Sequence, residues 1–354
     1  MSAVIHGGKV WEAARMTGKT IEDILDFSAN INAIGPPAKV MALFENTKLL
    51  KNLITHYPDE YYTLLIHAIS QKFSVNDELI VLGNGATELL AVTLKQQSKV
   101  LIPQPSYGEY QDVCIKNKVA YKSWDWFAVM QDPTRLEELI NGEKPSAVML
   151  PLPNNPTSEL VGLETLSLWL TKYEDITWII DVSFLQFSEK YNFYWDLLKK
   201  SKASIVMSMT KYYAIPGLRL GWMCQPLEQV EMSRRLLDPW RVNAIANEAA
   251  IRSLSDDGYD VVTRKVLSIE KQFVYEEWSK RASLPITKNA VEANFFLVEL
   301  PSEKIKNNLT RHLFEKNILV RDCSSFSLSK MLRFAIKDRK SNQKLLDAYD
   351  ECVK

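Results

Sequence analysis

Ser208-Met209-Thr210-Lys211, with Pro216-Gly217-Leu218-Arg219-Leu220-Gly221 close behind it, is the stretch from which the rest of the chain is read. It follows a short apolar run, Ala203-Ser204-Ile205-Val206-Met207, that suits a strand. A lysine amine there can condense with an aldehyde. The hydroxyls of Ser208 and Thr210 can donate to phosphate oxygens, and Arg219 can neutralise their charge. The set suits a covalently held, phosphorylated aldehyde. Taken alone it reads equally well as a solvated lysine before an ordinary loop, so its company elsewhere decides.

That company begins at Leu79-Ile80-Val81-Leu82-Gly83-Asn84-Gly85-Ala86-Thr87-Glu88-Leu89-Leu90. An apolar run meets Gly-Asn-Gly and then a helical pattern. Glycines before a helix N-terminus make an anion cradle, because free N–H groups and the helix dipole point at the ligand. From there strand and helix patterns alternate: strands near 100–102, 119–124, 147–150 and 178–180, and helices near 107–115, 136–140 and 163–170. Short apolar runs separated by helices predict an α/β fold with a mostly parallel sheet covered on both faces. Ligand groups in such folds collect at the C-terminal ends of strands. Tyr107, Asn155, Asp181 and Lys211 all fall there.

Each residue suits a planar, charged ligand. Tyr107 follows Pro103-Gln104-Pro105-Ser106, an exposed turn from which an aromatic can lie over a ring. Asn155 sits in the turn Pro153-Asn154-Asn155-Pro156-Thr157. Asp181 ends an apolar strand, where a carboxylate needs a donor or a cation, and a pyridinium N–H would serve.

The flanks are different in kind. Residues 1–40 read as an arm, with His6-Gly7-Gly8, a short helix from Trp11 to Met16, and Phe27-Ser28-Ala29-Asn30-Ile31-Asn32 before the stop Gly35-Pro36-Pro37. Residues 38–75 read as helical with a break at His56-Tyr57-Pro58-Asp59, where Tyr57 is pushed out of the α region by the proline after it. Gly221 to Cys224 suits a returning strand, and 258–281 one long helix. Beyond it, 293–300 and 331–336 alternate as antiparallel strands of a smaller lobe. There Arg321 and Arg333 flank Cys323-Ser324-Ser325-Phe326 and can grip two anionic groups.

Composition narrows the function classes. At 354 residues there is room for two domains. Lys+Arg and Asp+Glu balance at 43 each, so no general attraction for nucleic acid or a membrane surface follows, and an anionic ligand needs a local cluster of cations. Cys114, Cys224, Cys323 and Cys352 lack metal spacing, so no metal is expected and the thiols are expected reduced. No stretch approaches the roughly 18 apolar residues of a membrane span, and a cytoplasmic protein is expected.

Together these positions resemble the fold-type I pyridoxal-phosphate enzymes of the aspartate-aminotransferase group, across essentially the whole chain. Within that group the chain is most similar to the threonine-phosphate decarboxylases of cobalamin biosynthesis, with histidinol-phosphate aminotransferases next. The stretches that carry this are His6-Gly7-Gly8 with Trp11-Glu12-Ala13-Ala14-Arg15, residues 26–32, residues 211–221, and Pro239-Trp240-Arg241-Val242-Asn243-Ala244. The resemblance implies an N-terminal arm (1–40), a large cofactor-binding domain (41–257) and a small C-terminal domain (258–354). It makes Lys211 the lysine that carries pyridoxal phosphate. Ala86, Thr87, Ser208, Thr210 and Arg219 become its phosphate site, Tyr107 the ring-stacking aromatic, Asn155 the partner of the ring hydroxyl and Asp181 that of the pyridine nitrogen. Tyr57 resembles a tyrosine that reaches the cofactor phosphate of the other subunit, which implies a homodimer. Arg333 resembles the arginine for the substrate carboxylate, and Arg321, His6, Asn32 and Asn155 line up with substrate contacts.

Four positions depart from the group. Ser158 stands where glycine is usual, Val182 where glutamate is common, Phe184 where aminotransferases have tyrosine, and Ala33 where the arm usually has proline. The resemblance implies decarboxylation of an O-phosphorylated hydroxy amino acid, phosphothreonine or phosphoserine. An aminotransferase of the histidinol-phosphate type is the alternative, and a catalytically silent regulatory or assembly protein a third reading.

Overall fold

The structure, a computed structural model, describes residues 7–285 and 290–353. Its strands are β1 (Leu25–Asp26), β2 (Ile80–Gly83), β3 (Lys99–Gln104), β4 (Ala120–Asp125), β5 (Ala147–Pro151), β6 (Thr177–Asp181), β7 (Ser204–Ser208), β8 (Gly221–Cys224), β9 (Phe295–Glu299), β10 (Ile318–Leu319), β11 (Arg321–Asp322) and β12 (Met331–Ala335). Seven form one sheet in the order β2-β8-β7-β6-β5-β3-β4. Every pairing from β7 through β4 is parallel, and β8 alone runs against its neighbours β7 and β2. The expected mostly parallel α/β sheet and its returning strand are both present.

Both faces of this sheet are covered along its inner strands, which is why β5 and β7 read as apolar runs, whereas the edge strand β4 is largely exposed. Along β5, Val148 and Leu150 join the core cluster on one face, with Ile180 and Ile205 of the next strands. Ala147 and Met149 join the other, with Val100, Ile179 and Val206. Each such buried aliphatic side chain contributes about 1.5–3 kcal/mol relative to exposure. Helices Ala86–Lys95, Glu109–Lys116, Leu163–Lys172 and Tyr191–Leu198 connect the strands.

Helix Asp257–Ser279 follows, and beyond it β9, β12 and β11 form a small antiparallel sheet. Trp278 stacks on Phe334 at 4.9 Å, seating the long helix on that sheet. The N-terminal segment is tied to this end of the chain: β1 pairs in parallel with β10, and the Phe27 carbonyl accepts from the Ala335 N–H at 2.9 Å. Thus residues 25–32 pass from the small sheet to the large one. Helices Ala38–Glu45, Thr47–Thr55 and Thr63–Phe73 fill the region expected to be helical. Among the described residues no helix is long and apolar enough to cross a membrane.

Candidate active site

The C-terminal ends of β3, β5, β6 and β7 open on one cleft of about 830 Å³, its open mouth included. Tyr107, Asn155, Asp181 and Lys211 all line it, as their strand-end positions predicted. Ala86, Thr87, Phe184 and Arg333 line it too, with Gly7 and residues 28–31 of the N-terminal segment across from them.

Lys211 sits in the short helix Met209–Tyr212, which begins directly at the end of β7 with Ser208 as its cap. Its Nζ donates to Ser208 Oγ at 3.1 Å. Burial pushes the amine down to about 8; the Asp181 carboxylate opposes this and the Arg219 cation adds to it. An amine in that range has a substantial neutral fraction near pH 8, as a nucleophile requires.

Asp181 is held from two sides. Its Oδ1 accepts from the Ser183 N–H at 2.9 Å and its Oδ2 from the Tyr110 hydroxyl at 2.8 Å. Tyr110 was not among the expected site residues. Its spacing from Tyr107, three residues along a helical pattern, was the available signal, since such positions share a face. The rings of Tyr107 and Tyr110 meet edge to face at 5.5 Å. Burial raises the Tyr107 phenol above its usual range, and its hydroxyl is hydrogen-bonded to Thr87.

A phosphate cradle lies at the start of helix Ala86–Lys95. Gly85 has φ +86°, which favours glycine, and a Cβ there would stand 2.7 Å from Arg219 Nη2. At Gly221 a Cβ would come within 2.6 Å of the Ala86 backbone nitrogen. Both glycines therefore keep the helix N-terminus open and bring Arg219 against it. Ser208 and Thr210 exchange a hydroxyl hydrogen bond at 2.8 Å and lie buried behind Lys211. This donor set fits pyridoxal phosphate: an amine for the aldehyde, a carboxylate for the ring nitrogen, an aromatic wall, and hydroxyls, N–H groups and a guanidinium for the phosphate.

Opposite stands Arg333. It is 5% exposed, and one guanidinium nitrogen donates to the Ser28 carbonyl at 2.7 Å and another to Asn155 Oδ1. The ring of Phe295 lies 5.2 Å below it, and its Nε has no partner among the described residues. Burial, reinforced by Arg321, pushes Arg333 down to about 10, although Cys323 and Asp26 oppose the shift. Arg321 does not line the cleft. It faces Arg333 across the β11–β12 pair, with its Nη2 on Ser325 Oγ at 2.7 Å and its guanidinium over Phe326.

Besides Arg321, two expected site residues, Asn32 and Tyr57, lie elsewhere. Asn32 is a correction to the expected substrate contacts. Its Nδ2 donates to the Tyr212 carbonyl (2.9 Å), the Tyr259 hydroxyl (3.1 Å) and Thr263 Oγ1 (3.0 Å), so it ties the N-terminal segment to the Lys211 helix instead of facing the cleft. Asn30, two residues earlier, lines the cleft, and its buried Oδ1 has no partner among the described residues. Tyr57 is on the outer surface, 79% exposed, with its ring on Trp240 at 4.6 Å. His6 lies outside the described residues. Its neighbour Gly7 rests on the Ser28 backbone so closely that a Cβ would stand 2.1 Å from the Ser28 oxygen.

The aminotransferase class I and II family model matches residues 22–348, and the chain belongs to that family of pyridoxal-phosphate-dependent enzymes. Among curated relatives, it is 31% identical to the threonine-phosphate decarboxylase of Salmonella typhimurium, over 97% of this chain and 95% of that protein. It is 34% identical to the adenosylcobalamin biosynthesis bifunctional protein CobDQ of Leptospira interrogans, over 97% of this chain; the chain spans only 40% of that longer relative. The solved structure of the histidinol-phosphate aminotransferase from Clostridium acetobutylicum superposes with a TM-score of 0.83 at 29% identity, covering 93% of this chain and 98% of that one.

Proposed function

We propose that this enzyme decarboxylates an O-phosphorylated hydroxy amino acid, preferentially O-phospho-L-threonine, releasing 1-amino-2-propanol phosphate for the nucleotide loop of a cobamide. The observation that carries this reading is Arg333. It is a buried guanidinium that, among the described residues, is held by neutral acceptors alone and leaves its Nε without a partner, facing the same cleft as the Lys211 amine. A buried cation without an anionic partner is costly, and a substrate carboxylate would relieve it by charge-assisted contacts.

Pyridoxal phosphate, when bound, supplies a conjugated ring that accepts the electron pair released at the substrate Cα. Lys211 would hold it covalently, Asp181 would pair with its ring nitrogen, Tyr107 would cover its face, and Asn155 would meet its ring hydroxyl. Ala86, Thr87, Ser208, Thr210 and Arg219 would hold its phosphate. Arg333 and Asn30 would bind and orient the substrate carboxylate, the group that leaves as CO2, and the Lys211 ammonium would return a proton to Cα. Arg321, which lies outside the cleft lining and across the β11–β12 pair from Arg333, would have to turn toward the cleft to meet the substrate phosphate.

The working unit is a homodimer, with Tyr57 directed to the neighbouring subunit's site. Residues 1–40 serve as an arm that packs with the small domain or the partner subunit, 41–257 as the cofactor-binding domain and 258–354 as the small domain. A second reading, transamination of histidinol phosphate, draws support from the likeness to the Clostridium acetobutylicum enzyme. Phe184 weighs against it, because it offers no hydroxyl at the cleft wall. The test is to assay phosphothreonine, phosphoserine and histidinol phosphate on one preparation for CO2 and for keto-acid-dependent amino transfer. CO2 with phosphothreonine at the highest kcat/KM is expected. A phosphoserine value more than about tenfold higher reverses the substrate choice, and transfer without CO2 overturns the reading.

A further inference from the structure

Ser158 carries more than its place in a turn requires. It is fully buried and has φ +67°, a left-handed backbone that costs a non-glycine residue about 1–2 kcal/mol. Glycine would adopt it freely. What the serine adds is its hydroxyl. Ser158 Oγ accepts from the Ala293 N–H at 2.8 Å, while its own carbonyl accepts from the Glu292 N–H at 2.9 Å. Two consecutive N–H groups of the segment entering the small sheet are thus received by one residue of the turn after β5.

The same segment is gripped again from its side chain. Glu292 is buried, and its carboxylate accepts from Ser188 Oγ at 2.6 Å and pairs with Lys190 Nζ at 2.6 Å, both from the loop after β6. The two ends of this clamp have consequences in the cleft. On one side, Ser158 N–H donates to the Asn154 carbonyl at 2.7 Å, next to Asn155. On the other, Phe295 stands two residues past Ala293, with its ring under Arg333, while Leu297 is the register partner of Arg333 across β9 and β12. Asn155 and Arg333 bond directly to each other. Fixing 292–293 to Ser158 therefore fixes the strand that carries Arg333 against the turn that carries Asn155.

We propose that Ser158 is a positioning residue, a clamp that holds the small sheet in register with the large one and so sets affinity for the anionic substrate without touching it. The cofactor-facing groups Lys211, Asp181, Tyr107 and Arg219 belong to the large sheet and its connections. Asn155, the cofactor-facing group on the clamped turn, keeps the backbone bond from Ser158 N–H to the Asn154 carbonyl when the hydroxyl is removed, so cofactor affinity is largely retained. Replacing the serine with glycine keeps the backbone conformation and leaves the buried Ala293 N–H without its acceptor. The substrate half of this inference rests on the function proposed above.

The test compares wild-type holoenzyme with Ser158→Gly and Ser158→Ala by amide hydrogen exchange, pyridoxal phosphate titration and kinetics with O-phosphothreonine. Expected in both variants are faster exchange across 291–298, a KM raised about three- to tenfold, and pyridoxal phosphate affinity and kcat within about twofold of wild type. Unchanged exchange across 291–298 overturns the clamp, and so does a parallel loss of cofactor affinity, which would mark general loosening. A wild-type enzyme inert toward phosphothreonine strikes the proposed function instead, and the exchange and cofactor measurements still decide the clamp.

Discussion

Lys211 ties the sequence pattern to reactivity through one physical quantity, the lowered basicity of a buried amine. Only the neutral amine attacks an aldehyde, and its fraction grows as pH rises through the group's own pKa. The rate at which apoenzyme takes up pyridoxal phosphate into a visible chromophore should therefore rise with pH about a midpoint near 8 and level off above it. A midpoint near the ordinary lysine value of about 10.4 would contradict this environment. Lys211→Ala should lose borohydride-stable attachment of the cofactor. The two arginines divide the substrate. Arg333→Ala should weaken phosphorylated amino acids and analogues lacking the phosphate alike, by about 2–5 kcal/mol as for a broken buried charge pair, whereas Arg321→Ala should weaken only phosphorylated ligands. Equal losses for both ligand sets in both variants would contradict the assignment, as measured by titration of the holoenzyme. At this scale Lys211, Asp181, Tyr107 and Asn155 were legible because strand-end positions define where such residues gather. The choice between Asn30 and Asn32 was not. They lie two residues apart in an irregular segment, and Tyr212, Tyr259 and Thr263, far along the chain, decide which amide is consumed.

The turn between β2 and helix Ala86–Lys95 shows how an element makes a site from backbone. Gly221 in β8 packs against the Ala86 nitrogen, so the approach of strand to helix depends on the missing side chain. Gly221→Ala should displace the helix N-terminus and lower pyridoxal phosphate affinity by an amount comparable to overpacking, about 1–3 kcal/mol. Equilibrium dialysis measures it, and unchanged affinity would contradict the cradle. The alternation of apolar runs and helical patterns made the inner strands readable, because strands buried on both faces leave apolar signatures; the edge strand β4, largely exposed, was placed by its position between two helical patterns. β1, β10 and β11 were not read, since two-residue strands such as Leu25–Asp26 show no periodicity. Their pairing depends on contacts between the first and last parts of the chain.

Across the whole molecule, large apolar side chains stay exposed on the N-terminal helices (Met41, Phe44, Ile54 and Leu64) and on the turn before the third of them (Tyr61), with Tyr57, from the same connection, pairing its ring with Trp240. In sequence these positions read only as parts of helices, because a face meant for another subunit has the same periodicity as one meant for the core. If this face buries against a second copy, sedimentation should give a dimer. Tyr61→Glu combined with Leu64→Glu should shift it to monomer and abolish turnover, while a wild-type monomer with full activity would contradict the shared site. The chemistry itself is tested most directly with phosphothreonine labelled with 13C at the carboxyl carbon, incubated with holoenzyme and followed by NMR. One equivalent of labelled CO2 per substrate, with unlabelled 1-amino-2-propanol phosphate as the other product, is the expected result. Label retained in a keto acid, or substrate left intact by enzyme carrying its full complement of cofactor, would contradict decarboxylation.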